Sequence, residues 1–381
     1  MTATVDIPWP NSTCPAKPLR RQWTTARTLD EFDALEAAWS NCPTTTSNPM
    51  LSFSWVRAAI ASLAAGRKIR VIALCDGKRL LAAAPLIRAQ AGGWELLNHY
   101  KLHEPADLVY ADEAALTALA GELARLGLPL LLGRVPADSP TIEAIERAYG
   151  RRCVVVRRQA AFPYIPLDAD WSAPENQLSS RRRGDFRRAR RHADEHGEVT
   201  SEIVAPLAQE VDELLDIVFA VEGLSWKGEL GTALARDSAR GDFYRCYARR
   251  AAGAGALKLG FLRIGGAVAA VQISVVQDNA LWVLKIGYDP RFHRASPGIL
   301  LMVEQIKDAV ACGLSRYELL GTVEPWIQVW TEYERGCVSL RAYPANLRGA
   351  TALAREAVAA CYRRVARNSF RGFLGNFTCK R

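Results

Sequence analysis

The sequence predicts an α/β protein with mixed sheets, built as two similar units in tandem. Three observations lead there. The chain has 381 residues, more than one hydrophobic core usually organises. An order of helix, hairpin, strand, loop, helix and strand runs through the first part and recurs in the second. The hairpin glycine and the glycine after the last strand stand 56 residues apart both times, Gly77 to Gly133 and Gly265 to Gly321. A repeated order at a repeated interval reads as duplication.

Residues 1–27 form a lead-in, residues 28–170 the first unit and residues 171–381 the second. Thr28-Leu29-Asp30-Glu31 has capping-box spacing, with Phe32, Leu35 and Trp39 on one helical face. A second helix starts at Ser52, carries Trp55, Ile60 and Leu63, and stops at Gly66. Ile69 to Cys75 and Leu80 to Ile87 are apolar runs separated by Asp76-Gly77, a strong hairpin signal. A strand near Trp94 to Leu97, a helix from Glu113 to Leu126 and a strand from Leu128 to Leu132 complete the unit.

Between the units, Ser172-Ala173-Pro174-Glu175 reads as a helix start that continues through Leu178, Phe186 and Ala193 to Gly197. A further helix, Ala208 to Val221, follows. In the second unit a helix from Asp242 to Ala251 leads into strands Leu257 to Ile264 and Ala267 to Val276, joined by Gly265-Gly266. Next come a strand over Leu281 to Ile286, a helix over Pro297 to Cys312 and a strand over Arg316 to Leu320. Val338 to Tyr343 reads as a strand and Arg348 to Arg367 as a helix.

Composition narrows the function. The N-terminal segment lacks the apolar stretch of a secretory signal, and no run is long enough to span a bilayer, which points to the cytoplasm. The nine cysteines are scattered and never form a C-x-x-C pair, so neither a disulfide framework nor a metal site is expected. The net charge of +9 is concentrated: Arg181 to Arg191 holds seven arginines and one aspartate, +6 of that total. Basicity confined to one element argues against a nucleic-acid partner. The run reads first as a solvated helix face, and otherwise as the rim of an anion-binding cleft or, least readily, as an RNA grip.

The loop entering the helix at Pro297 carries the most chemistry. It reads Tyr288-Asp289-Pro290-Arg291-Phe292-His293-Arg294-Ala295-Ser296-Pro297-Gly298, and it follows a strand where ligands commonly bind in α/β sheets. First-turn amides attract anions. Gly298 permits close approach, and Arg291 and Arg294 supply charge-assisted hydrogen bonds. With Ser296 these residues are the expected diphosphate site, and the strand end Ile286-Gly287 belongs with them to the expected cofactor site. The first unit has Asn98 to Asp107 in the corresponding place and no such helix entry. Its expected part is to hold an acceptor through Asp107 and Tyr110.

At these residues the chain resembles the CelD/BcsL acetyltransferases associated with cellulose biosynthesis, within the GNAT superfamily. The resemblance rests on the helix Ser180 to Arg191, on Trp226-Lys227-Gly228 followed by Gly231-Thr232-Ala233-Leu234, on Tyr288-Asp289 leading to Ser296-Pro297-Gly298, and on Glu324-Pro325-Trp326 followed by Trp330. It implies tandem GNAT-like domains and an acyltransferase with acyl-CoA, acetyl or longer, as donor. It implies also a saccharide-linked or small polar acceptor and association with polysaccharide-synthesis proteins. The architecture is similar as well to Fem-type aminoacyltransferases, which use aminoacyl-tRNA. A non-catalytic scaffold with a decayed cleft is a third reading. Related sequences often carry a basic residue after the position of Trp326; here Ile327 stands there.

Direct attack on a thioester needs a neutral nucleophile. A lysine-like amine, with a reference pKa of ~10.4, is neutral in about one molecule in 2,500 at pH 7, a shortfall of roughly 4.6 kcal/mol. A base is therefore expected, with Glu222, Asp289, His293 and Glu324 as candidates. Asp289, standing before a proline, reads also as a turn residue. Trp226, Lys227, Trp326 and Trp330 are candidate acceptor contacts; Trp326 and Trp330, four apart, fit a buried helical stripe equally well.

Overall fold

The two glycine turns act as their chemistry requires. In the computed structural model, which describes residues 21–224 and 237–359, Gly77 (φ +56°) turns β2 (Ile69–Asp76) into β3 (Arg79–Arg88). Gly265 (+56°) and Gly266 (+81°) turn β9 (Leu257–Ile264) into β10 (Ala267–Gln277). These left-handed conformations suit glycine and match the twist of a tight hairpin. Each hairpin is extended on one side by a polar edge strand, β1 (Arg21–Ala26) on β2 and β8 (Val199–Val204) on β9. On the other side the order continues alike. β4 (Trp94–Leu96) pairs antiparallel with β3 and parallel with β6 (Leu130–Pro136). β11 (Ala280–Tyr288) pairs antiparallel with β10 and parallel with β12 (Arg316–Glu318). The crossover helices are Glu113–Arg125 and Pro297–Ala311. β5 (Val109–Tyr110) adds a short pairing to β3.

The seam between the two halves is an exchange of strands. β7 (Val154–Pro166) leaves the first half and pairs with β12 of the second. β13 (Glu334–Ala342) leaves the second half and pairs with β6 of the first, while β7 and β13 pair with each other. The result is one sheet in the order β1-β2-β3-β4-β6-β13-β7-β12-β11-β10-β9-β8, with β5 beside β3. A cut between residues 170 and 171 therefore assigns β13 to the half whose sheet it does not extend. The lead-in 1–27 likewise contains a strand of that sheet.

Helices cover both faces. On one face a core is shared between the halves: Trp55, on the helix Phe53–Ala58, meets Phe243 and Tyr247 edge-on at 4.8 and 4.9 Å. The latter two stand on the helix Ser238–Gly253. That face also holds the helix Val211–Leu224. On the opposite face each half keeps its own core. The arginine-rich helix begins later than the Pro174 signal suggests. Pro174–Gln177 is a single 3-10 turn, Leu178 is extended, and the Ser179 hydroxyl caps the helix Ser180–Asp194. The C-terminal helix is described over 347–359. Among the described residues no helix is long and apolar enough to cross a membrane.

Candidate active site

The parallel strands β11 and β12 keep register for three residues, Ala280↔Arg316 to Trp282↔Glu318. Beyond that point β11 runs on to Tyr288, while the other chain turns away through Leu320 (φ +53°) and Gly321 (φ +60°). A cleft of about 530 Å³ opens where they part. One wall is Val283 to Tyr288 and the other Leu319 to Thr322, with Met302 and Ile299 of the crossover helix between them.

That helix begins at the cleft. Ser296 stands in the left-handed region (φ 45°, ψ 53°) as its N-cap residue, and Pro297 takes the first turn. Proline has no N–H to leave unpaired there. A side-chain carbon added at Gly298 would meet no atom within 4 Å. The Ser296 carbonyl takes the Ile299 and Leu300 amides (2.9 and 3.2 Å), which leaves the Gly298 amide, with the helix dipole behind it, for an anion.

β11 carries a bulge. Lys285 is opposite Ile273 and Val283 opposite Ser274, so Leu284 is the extra residue. Strand alternation would send Leu284 and Lys285 to opposite faces. Instead Leu284 joins the shared core and the Lys285 ammonium stands 5.3 Å from the centre of the Tyr244 ring, on that same face. A bulge re-aims side chains in this way and leaves ladder groups unpaired. Burial works against the charge of Lys285, but Tyr244, Glu104 and Glu222 outweigh it and hold its pKa above the ordinary lysine value.

Residues 180–327 match the family model described as an acetyltransferase (GNAT) domain. This stretch is similar to GNAT acetyltransferase domains. GNAT domains use acyl-CoA, and here the parted strands, the bulge and the helix N-terminus lie along one cleft. Solved structures of similar fold extend over nearly the whole chain. The C-terminal domain of a putative lysylphosphatidylglycerol synthetase from Agrobacterium fabrum has a TM-score of 0.55 at 12% identity, covering 86% of this chain and 97% of that one. FemX has a TM-score of 0.52 at 11% identity, covering 84% and 96%. L-PGS from Bacillus licheniformis has 0.52 at 9% identity, covering 84% and 94%. No curated protein matches the sequence. The fold is two GNAT-like units in tandem.

The matched stretch brings several of the expected residues together. Ile286, Gly287, His293, Ser296, Gly298, Glu324 and Trp326 all line the cleft. His293 is exposed, with its Nδ1 on the Pro290 carbonyl at 3.1 Å, and Glu324 at the exposed rim accepts the Trp326 indole N–H at 2.8 Å. Arg294 lies in a neighbouring basic recess with Arg188 and His192, a recess that shares Ser296 with the cleft.

Other expected residues lie elsewhere. Asp289 is buried and caps the 3-10 helix Pro290–Ala295. Burial disfavours its charge, yet the Arg291 side chain (2.6 and 2.8 Å) and amide (2.9 Å) hold its carboxyl below the usual range. A carboxylate so engaged is a poor proton acceptor, and Arg291 is turned to it rather than to the cleft. Glu222 lies behind Gly287 on the helix Val211–Leu224. Trp330 is buried in the core beneath the cleft. Asp107 accepts from Ser139 (2.5 Å), Thr141 (2.6 Å) and the Leu108 amide (2.7 Å), pinning a turn of the first half. Tyr110 is its neighbour, and neither reaches the cleft. Trp226 and Lys227 lie outside the described residues.

Three cleft features escaped the sequence reading. Tyr317 and Gln272 form a buried pair on its wall, the phenol donating to Gln272 Oε1 at 3.0 Å. Lys285 escaped although a signal for it existed, since it is the one charge inside an otherwise apolar strand. Glu104, from the first half, reaches the cleft only through the tertiary fold. Among the described residues no group of acidic, histidine or cysteine side chains is placed to hold a metal ion.

Proposed function

We propose that the protein is an acyl-CoA-dependent N- or O-acyltransferase working in the cleft of its second half. The acceptor is a saccharide-linked or small polar molecule of polysaccharide or envelope metabolism. One observation carries this reading: β11 and β12 part directly above an open helix N-terminus. A diphosphate suits the Ser296–Gly298 turn, where the helix dipole behind the Gly298 amide contributes about 0.3–1 kcal/mol. The pantetheine arm then lies between the strands, in place of the ladder they have given up. The thioester carbonyl reaches the bulge at Leu284, whose freed backbone groups can stabilise an oxyanion. Trp326, with Glu324 on its indole, is an amphipathic wall of the kind that suits a sugar.

Calorimetric titration with CoA, acetyl-CoA and longer acyl-CoAs tests the donor. Saturable binding is expected, weakened about tenfold or more by Gly298→Asp, which sets a charge against the diphosphate in a space that accepts the side chain. Arg294→Ala should weaken it less. Absence of binding by every CoA species to folded protein ends the proposal.

The arginine-rich helix supports a second reading, a Fem-type aminoacyltransferase, since Arg188 and His192 stand beside Ser296 at the edge of the cleft. That reading requires charged tRNA to bind with a steep salt dependence, reduced by neutralising Arg187 and Arg188. Full activity without RNA would exclude it.

A further inference from the structure

We propose that Glu104, carried by the first half, is the proton acceptor for the transfer reaction in the second, so that the catalytic site is completed across the two halves. The proposal rests on the donor reading above. Glu104 lies on the loop after β4, lines the cleft and is 8% exposed, and its Oε2 has no hydrogen-bond partner. A buried polar atom left without a partner is uncommon and calls for a ligand or a role. Glu104 lines the cleft in which a thioester at Leu284 would meet its acceptor, and an acceptor N–H or O–H is the donor that this oxygen lacks.

The loop is built to hold that position. Arg134, itself in the left-handed region at φ +49°, donates to the His103 carbonyl at 2.8 Å and to the Gly321 carbonyl at 2.7 Å. One guanidinium thus clamps the first half's loop to the lip of the second half's cleft. His99 Nδ1 lies 2.9 Å from the Glu104 carbonyl. The other carboxylate on the cleft wall, Glu324, stands at the exposed rim.

Groups from several elements set the charge of Glu104. Burial pushes its carboxyl up; Lys285 of β11, Arg134 of β6 and the Gly321 amide oppose that and favour the carboxylate. Tyr244, from the helix Ser238–Gly253, packs against Lys285, whose charge Glu222 also supports. His103 precedes Glu104, and burial lowers its pKa. A base lifted above an ordinary carboxylate but kept ionisable suits proton removal near neutrality.

The step balances. A neutral amine or hydroxyl attacks the thioester carbonyl; a C–N or C–O bond forms as the C–S bond breaks. Glu104 Oε2 takes the acceptor's proton, and the departing thiolate of CoA is protonated from water, into which Glu104 returns its proton.

The test compares wild type, Glu104→Gln, Glu104→Asp and Arg134→Met. CoA affinity is read by calorimetry, and acetyl-CoA consumption by thiol release with D-glucosamine or water as acceptor, across pH 5.5 to 9. Expected for Glu104→Gln is a CoA Kd within about twofold of wild type and a kcat lower by about 10²- to 10⁴-fold, with the rising acid limb of the profile lost. Glu104→Asp should recover part of the rate, and Arg134→Met, which frees the loop and removes one cation that favours the carboxylate, should lower kcat and move the limb to higher pH without abolishing it. Hydroxylamine, neutral at pH 7, should lose less than tenfold in Glu104→Gln. A Glu104→Gln enzyme that binds CoA and keeps more than a tenth of the glucosamine rate with an unchanged profile overturns the proposal. Failure of the wild type to bind CoA overturns the donor reading itself.

Discussion

Gly287→Ala is a sharp test of how the cleft is backed. Gly287 lines the cleft on one side and touches the helix Val211–Leu224 on the other. A Cβ at this position would sit 2.8 Å from Glu222 Cα, 3.0 Å from its Cβ and 3.3 Å from its Cγ. Carbon atoms prefer about 3.5–4.0 Å, so the helix must withdraw by roughly 0.7 Å. The nearest obstacle is helix backbone, which cannot swing aside as a side chain can. Overpacking of this kind costs about 1–3 kcal/mol. With an unfolding entropy of ~2.1 cal/mol/K per residue, a chain of 381 residues loses about 1–4 °C in melting temperature. Withdrawal also draws Glu222 from Lys285, so acetyl-CoA turnover should fall more than CoA affinity. Calorimetric melting, checked by urea unfolding, reads the first effect and thiol release the second. Unchanged melting and turnover would show that this helix does not rest on β11 at Gly287, and the account of Lys285 would fail with it.

Two further outcomes concern the first half. Asp107→Ala removes the acceptor for three donors and should destabilise the fold by about 3 kcal/mol in urea unfolding, with CoA affinity unchanged because Asp107 lies outside the cleft. His99 and Asp107 should give opposed pH dependences. Burial lowers His99 to about 4, so the unfolded chain takes a proton there that the folded chain resists. Its contribution is full above about 6.5 and fades as pH falls toward 4, by up to about 3 kcal/mol. Burial lifts Asp107 to about 6, so its contribution is full below about 4 and fades as pH rises through 6. Urea unfolding of His99→Gln from pH 4 to 7 should therefore show less acid loss than wild type. An equal loss would mean that the His99 ring is not buried.

What could be read in advance follows from where each element sits. The run Leu257–Ile264 was legible to the residue because both faces of β9 are covered and the Gly-Gly turn fixes its end. The entry at Ser296–Gly298 was legible because proline and glycine mark a helix start locally. β1, β7 and β8 were missed: all three are partly exposed, and β7 mixes Arg157, Arg158 and Gln159 with apolar residues and ends in prolines. Their pairing is set by neighbours far along the chain, which no local period reports. The π-turn over Ala59–Leu63 was read as ordinary helix, since its apolar face fits either. In the site, the Ser296–Gly298 turn at the cleft edge was visible in the sequence. Asp289 looked like a base because sequence shows a carboxylate but not the guanidinium folded back on it. Glu104 gave no signal, since its place depends on two loops 217 residues apart, tied at Gly321 through Arg134.

The crossed strands at the seam bear on how the chain is made. When β6 leaves the ribosome, the strand that will cover its open side, Glu334–Ala342, lies almost 200 residues downstream and has yet to be translated. Until then β6 offers a bare row of amides and carbonyls, and β7 waits likewise for β12. Such edges invite pairing with other nascent chains. Expressed alone, either half would keep this hazard permanently, whereas the intact polypeptide closes both rims in one late step.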